Sequence, residues 1–386
     1  MIYLDHNATT PLAPEAEDAI WEAVREFGNP SSIHQFGRKA LEALEDARVR
    51  LAGCLGVSAE SIVLTASGSE ANNLTIKGIL MRRAGRPSHL VVSAMEHQCV
   101  LRSARYMAAR FDWVGLTEVN PGPDGRLDPA KVGRAITGDT CLVSVMYANH
   151  ETGMIQPLAE IAEMAHRCGA LLHSDAVQAF GRIPVEPQAL GCDLLALAAH
   201  KFHGPKGVGA LYVGPEVELD PLIHGGSQEG ERRAGTQNLP GAVGMATAAE
   251  VALKRREDAA AHLRRLESLF LELVREGAGP CELNGALENR IPGVLNLAFE
   301  GVAQDDLVVG MDLAGVAISA GSACTSGVIE PSAVLQAMDL PDWRVNGGVR
   351  ISFGRDSTEL EARSAARHLI DLCARLRGGE VLDPPA

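Results

Sequence analysis

The stretch with the most distinctive chemistry is AAHKFHGPKG, residues 198–207, in which Lys201 follows an apolar run and precedes a glycine-rich turn. A lysine there leaves the carboxyl end of a buried strand, where ligands of open α/β sheets gather. Desolvation lowers the pKa of an ammonium group and frees its amine for a carbonyl, so Lys201 is a candidate Schiff-base lysine, with a solvated loop lysine as the competing reading. The segment SDAVQ closes another apolar run and sets Asp175 at the same edge. An acid there suits a pyridine nitrogen that must stay protonated to act as an electron sink. The plainer alternative is a helix cap.

Five more stretches offer partners. In TASGSE, residues 65–70, the backbone N–H groups of Gly68 and Ser69 and the Ser69 hydroxyl open a helix, where a phosphate is favoured. An ordinary N-cap has the same pattern. His97, in SAMEH, follows a strand and can stack on a flat cofactor and shuttle protons. Asn149 and His150, in YANHETG, offer hydrogen bonds to a substrate or a ring oxygen. Arg350, in VRISFGR, is a charge inside a strand pattern, suited to a bidentate grip on a carboxylate or to a structural ion pair. The run ISAGSACTSG surrounds Cys324 with small residues, which marks an accessible thiol rather than a core cysteine.

These positions need a scaffold that brings them to one edge. Between residues 60 and 215, apolar runs at 61–65, 90–93, 141–147, 170–174, 193–197 and 210–213 alternate with helical periodicity at 70–83, 99–110, 129–137 and 158–168. That alternation predicts a mostly parallel sheet covered by helices. After residue 241 a long charged helix to about 276 is expected, then strands near 294–299, 317–319 and 349–353 in a smaller α+β domain. The expected division is a large α/β domain over 15–250 and a small domain from 1–14 and 251–386 that carries the cysteine loop. A helix is expected at 15–27.

The chain has 386 residues, more than one core usually supports, so two domains and a cleft are the default. A formal net charge of -14 speaks against a nucleic-acid or acidic-membrane surface. Asp5 stands where a secretory leader would need basic and then apolar residues, so a cytoplasmic protein is expected. Eight scattered cysteines without a C-x-x-C pair remove the obvious zinc reading.

Taken in order, LDHNATTPL, FGNPSS, the serine-glycine turn, MEHQ, ANHETG, SDAVQ, HKFHGPKG, RRAGTQN, SAGSACTS and VRISFGR resemble the cysteine desulfurases, class V members of the fold type I (aspartate aminotransferase-like) pyridoxal-phosphate (PLP) enzymes. The resemblance implies Lys201 as the Schiff-base residue, Asp175 on the pyridine nitrogen, Gln178 on the ring hydroxyl, and His97 as stacking residue and proton shuttle. It further implies that Gly68, Ser69 and His200 bind the phosphate, joined by Thr236 from the other subunit of a homodimer, and that Arg350 and Asn149 hold the substrate carboxylate. L-cysteine would yield L-alanine and a persulfide on Cys324, passed from a long flexible loop to a sulfur acceptor or iron-sulfur scaffold protein. Any metal contact of Cys324 would be transient, through a shared iron-sulfur cluster. The chain departs from the family pattern at Ala198, where a serine commonly adds a phosphate donor, and at His150, where asparagine is usual. The lost hydroxyl costs about 0.5–1.5 kcal/mol net. The implied competitors are another class V enzyme, an aminotransferase or selenocysteine lyase, and a non-catalytic sulfur carrier.

Overall fold

In the computed structural model of the protein, residues 1–320 and 331–378 are described. Among them a seven-stranded sheet has the order β2-β8-β7-β6-β5-β3-β4. Its strands are β2 (Ile62–Thr65), β3 (Ser88–Ser93), β4 (Val114–Val119), β5 (Thr140–Ser144), β6 (Leu171–Asp175), β7 (Leu194–Ala198) and β8 (Gly209–Val213). Only β8 runs against its neighbours β2 and β7, so the other six strands point the same way. Their carboxyl ends therefore share one edge, and each of the expected cofactor segments follows one of them.

The strands form from short apolar runs buried on both faces, as LLALA in β7 illustrates. Helices α1 (Pro14–Val24), α2 (Gln35–Leu55), α3 (Gly68–Arg82), α4 (Gln98–Arg110), α5 (Pro129–Ala135), α6 (Leu158–Arg167) and the short α7 (Pro187–Leu190) precede the 39-residue α8 (Leu239–Gly277). Besides the one-turn α7, two elements of this unit were not expected from the sequence. Helix α2 carries its buried residues at Ala40, Leu44, Ala47, Leu51 and Leu55, a helical spacing hidden among charged residues. Strand β4 lies at the sheet's edge and is half open, so VGLTEV lacks a clear apolar run.

A second, smaller core surrounds the antiparallel sheet β12-β10-β9, built from β9 (Cys281–Leu283), β10 (Val294–Phe299) and β12 (Gly348–Ser352). The first strand, β1 (Ile2–Tyr3), pairs with β11 (Val316–Ala317) and puts Leu4 in this core, whereas Ala13 belongs to the larger one. Helix α8 serves both: Leu239 to Ala252 pack into the larger core and Leu263 to Val274 into the smaller. We propose that the domains divide where α8 crosses between them, close to the expected 250/251.

The loop after β8 is anchored by an ion pair. Glu229, with no exposed side-chain surface and a left-handed backbone (φ 51°), accepts from both Arg48 terminal nitrogens, at 2.6 and 2.9 Å, and from Leu64 N at 2.8 Å. Deleting Glu229 leaves the buried Arg48 with only the half-exposed Glu45, 3.2 Å from its Nε, at a cost of up to about 3–5 kcal/mol, the scale of an uncompensated buried charge. Glu229→Ala should therefore lose about that much stability in urea unfolding. A loss under about 1 kcal/mol, the scale of an exposed pair, would contradict the anchoring role.

Candidate active site

Lys201 ends a single 3-10 turn directly after β7. Its ammonium donates to the backbone carbonyls of Asn7, at 2.5 Å, and Ala8, at 2.8 Å. Burial, helped by the nearby Arg350 and Arg182 guanidinium groups, lowers its pKa to about 8. An amine so poised is available for carbonyl chemistry near neutral pH.

Asp175, the last residue of β6, is 5% exposed. Its Oδ2 accepts from Asn72 Nδ2 at 2.7 Å and its Oδ1 from Val177 N at 2.9 Å, which fixes the carboxylate's orientation. Gln178 donates through Nε2 to Asn7 O at 2.9 Å, while its buried Oε1 has no partner among the described residues.

His97 caps α4, with Nδ1 accepting from Cys99 N at 3.2 Å. A backbone N–H only donates, so the neutral ring carries its proton on Nε2. The ring is open at the cleft, yet the protein around it pushes its pKa down through desolvation. His150 meets it edge to face, with ring centroids 5.5 Å apart. Burial, and then the positive surroundings of His97, Arg350 and Lys201, hold His150 well below the usual imidazole range and keep it neutral.

Helix α3 begins at Gly68, with Ser67 as its cap accepting from Glu70 N. The Gly68 and Ser69 N–H groups have no acceptor among the described residues, as expected of a helix's first turn. A β-carbon at Gly68 would lie 2.8 Å from Val177 Cγ2 and 3.3 Å from Ala198 Cβ, so glycine allows α3 to abut β7. His200 Nδ1 lies 3.2 Å from Thr9 Oγ1. Thr236 is exposed on its loop, which Arg233 ties to Glu70 at 2.9 Å.

Two expected substrate residues are occupied differently. Asn149 is fully buried, and its amide builds its own turn: Oδ1 accepts from Glu151 N, Thr152 N and Thr152 Oγ1, while Nδ2 donates to Met95 O and faces Met146 Sδ. In this arrangement no arm of the amide is left over for the expected contact to a substrate or ring oxygen. Arg350 is 4% exposed and donates to Asp5 Oδ1 at 2.7 Å and His150 O at 3.0 Å, so the ion-pair alternative is realised. Cys324 lies outside the described residues, and with it the expected sulfur-accepting loop.

Three contributors escaped the sequence reading. Asn7 ties together Lys201, Gln178, Arg182 and His150. Asn72, one helical turn beyond Gly68, orients Asp175, and that spacing was its only signal. Glu96, beside His97, is buried and accepts from Met146 N at 2.5 Å; desolvation holds its pKa well above the usual carboxylate range.

A lysine, an aspartate and a helix start meeting at the carboxyl edge of a mostly parallel sheet is the architecture of the fold type I PLP enzymes. The chain matches the family model described as Aminotransferase class-V over residues 2–363 and belongs to that family. It is 40% identical over 378 residues to a Bacillus subtilis (strain 168) protein named putative cysteine desulfurase IscS 1, covering 97% of this chain and 99% of that one. Among solved structures, a NifS-like protein superposes with a TM-score of 0.91 at 31% identity, covering 97% and 99% of the two chains. A structure titled SspA in complex with cysteine gives 0.80 at 33% identity, covering 92% and 99%.

Arg350 favours the neutral form of Lys201, so Arg350→Met should move the amine's titration upward from about 8. Freeing Asp5 acts in the same direction. The pH dependence of amine acetylation, read on the Lys201 peptide of cofactor-free protein, measures this. An unchanged or lowered midpoint would contradict the assigned cause.

Proposed function

We propose that this chain is a cysteine desulfurase: it removes sulfur from L-cysteine, releases L-alanine and carries the sulfur on Cys324. The observation that carries the cofactor reading is the convergence of Lys201, Asp175, Gln178 and the start of α3 on one sheet edge. The desulfurase names of the relatives and the cysteine-bound neighbour support the substrate.

The residues present fit PLP. Gln178 Oε1 is a buried acceptor without a partner, suited to a ring hydroxyl. The unclaimed N–H groups of Gly68 and Ser69 suit a phosphate at the positive end of a 15-residue helix. Lys201 would bond the cofactor covalently, Asp175 would keep the pyridine nitrogen protonated, and His200 with the partner subunit's Thr236 would complete the phosphate site. When bound, the cofactor supplies an electron sink for the substrate's α-carbon.

The chain's own groups then divide the remaining work. Lys201 Nζ, neutral in part near pH 8, takes and returns the α-proton. His97, with its proton on Nε2, donates at the cleft. Arg350 receives the substrate carboxylate by exchange with Asp5. Cys324, as thiolate, attacks the substrate sulfur: the S–S bond forms as the S–Cβ bond breaks, the electron pair stays on Cβ, which takes a proton to become alanine's methyl group, and the sulfur remains as a persulfide for an acceptor or iron-sulfur scaffold protein. A homodimer suits the exposed position of Thr236.

Purified protein given cysteine and a reductant should release alanine, and a keto acid in its place would favour an aminotransferase. Lys201→Ala should abolish both the cofactor's visible absorbance and alanine release. Cys324→Ser should keep the absorbance and lose protein-bound sulfur by mass spectrometry. Retained sulfur on that variant would overturn the role of the thiol.

A further inference from the structure

Behind Lys201, between the two cores, lies a cavity of about 50 Å³. At roughly 10–15 Å³ per water it holds about three to five waters, or one small oxyanion. It shares only Lys201 with the residues proposed above for cofactor and substrate. The surrounding charge is one-sided. Arg182, Arg355, His6 and His203 line it, Arg255 and Arg256 come from α8, and no aspartate or glutamate is among its lining residues.

The cations are poorly compensated. Arg182 reaches Asn7 Oδ1 at 2.6 Å and has no carboxylate within ion-pairing distance among the described residues. Arg355 has a side chain 10% exposed, and its Nε and Nη1 are buried without hydrogen bonds. Its nearest carboxylate, Asp356, is 74% exposed and stands 3.5 Å away. Buried guanidinium groups without acceptors are costly, and an anion would relieve that cost.

We propose that this cavity is a binding site for a small inorganic oxyanion of the size of sulfate or phosphate, held between Arg182 of the larger core and Arg355 of the smaller. Two planar forks, one with no carboxylate in ion-pairing distance among the described residues and the other facing only the largely exposed Asp356, suit a ligand with several oxygens. His6 lines the site as a neutral imidazole, held at about 4 by burial and Arg182, while His203 commits its Nδ1 proton to Pro11 O at 2.9 Å and only packs beside it. Bound there, the anion would cross-link the two cores beside the N-terminal segment.

The test is calorimetric titration of the holoenzyme with sodium sulfate at constant ionic strength, so that the cofactor already fills its own phosphate site. One saturable site is expected, weakened at least fivefold by Arg355→Gln, with an unaltered cofactor spectrum showing that the variant is folded. No saturable binding, or weakening of less than fivefold, overturns the proposal. Should Arg355→Gln not fold, selenate-soaked crystals of the unaltered holoenzyme decide. An anomalous peak between Arg182 and Arg355 supports the site, and its absence overturns it.

Discussion

Everything at the proposed active site leans on one buried asparagine. Asn7 is 1% exposed and uses every polar group it has. Its carbonyl accepts from Lys201 and Gln178, its side-chain oxygen from Arg182, and its amide nitrogen donates to His150 O. Its backbone N–H reaches Ser352 Oγ in β12 at 3.0 Å. A buried asparagine satisfied at every polar atom specifies one arrangement, because removing it strands each of its partners. The segment from Leu4 to Thr10 thus works as a clasp: β1 adds to the smaller core through β11, while Thr10 bonds to His200 O.

The clasp also explains the electrostatics. It places Lys201 beside two arginines, and its carbonyl partners are dipoles rather than full charges. The amine therefore stays in reach of neutrality, while Asp175 is committed to its own orienting bonds. The same excess of cations spills over behind Lys201, where Arg182 and Arg355 line one cavity and the largely exposed Asp356 stands 3.5 Å from Arg355.

Much of the site was legible because it is local. Lys201, Asp175 and His97 each follow an apolar run, and parallel strands carry such positions to a shared edge whatever their order along the chain. What stayed hidden depends on partners far away in the chain. Asn7 meets residues 143 to 345 positions distant, and Arg350 finds Asp5 across 345. The surroundings of Asn149 were hidden for another reason: ANHETG does not reveal that the amide closes its own turn. Helix α2 and β4 were missed because charged residues in one and edge exposure in the other blur the apolar period.

The most direct test of the account's centre is to reduce the holoenzyme with borohydride, digest it and locate the cofactor by mass spectrometry. The account requires the modified residue to be Lys201, which the fold brings between Asn7 and Asp175. A cofactor reduced onto another lysine, or onto none, would contradict it.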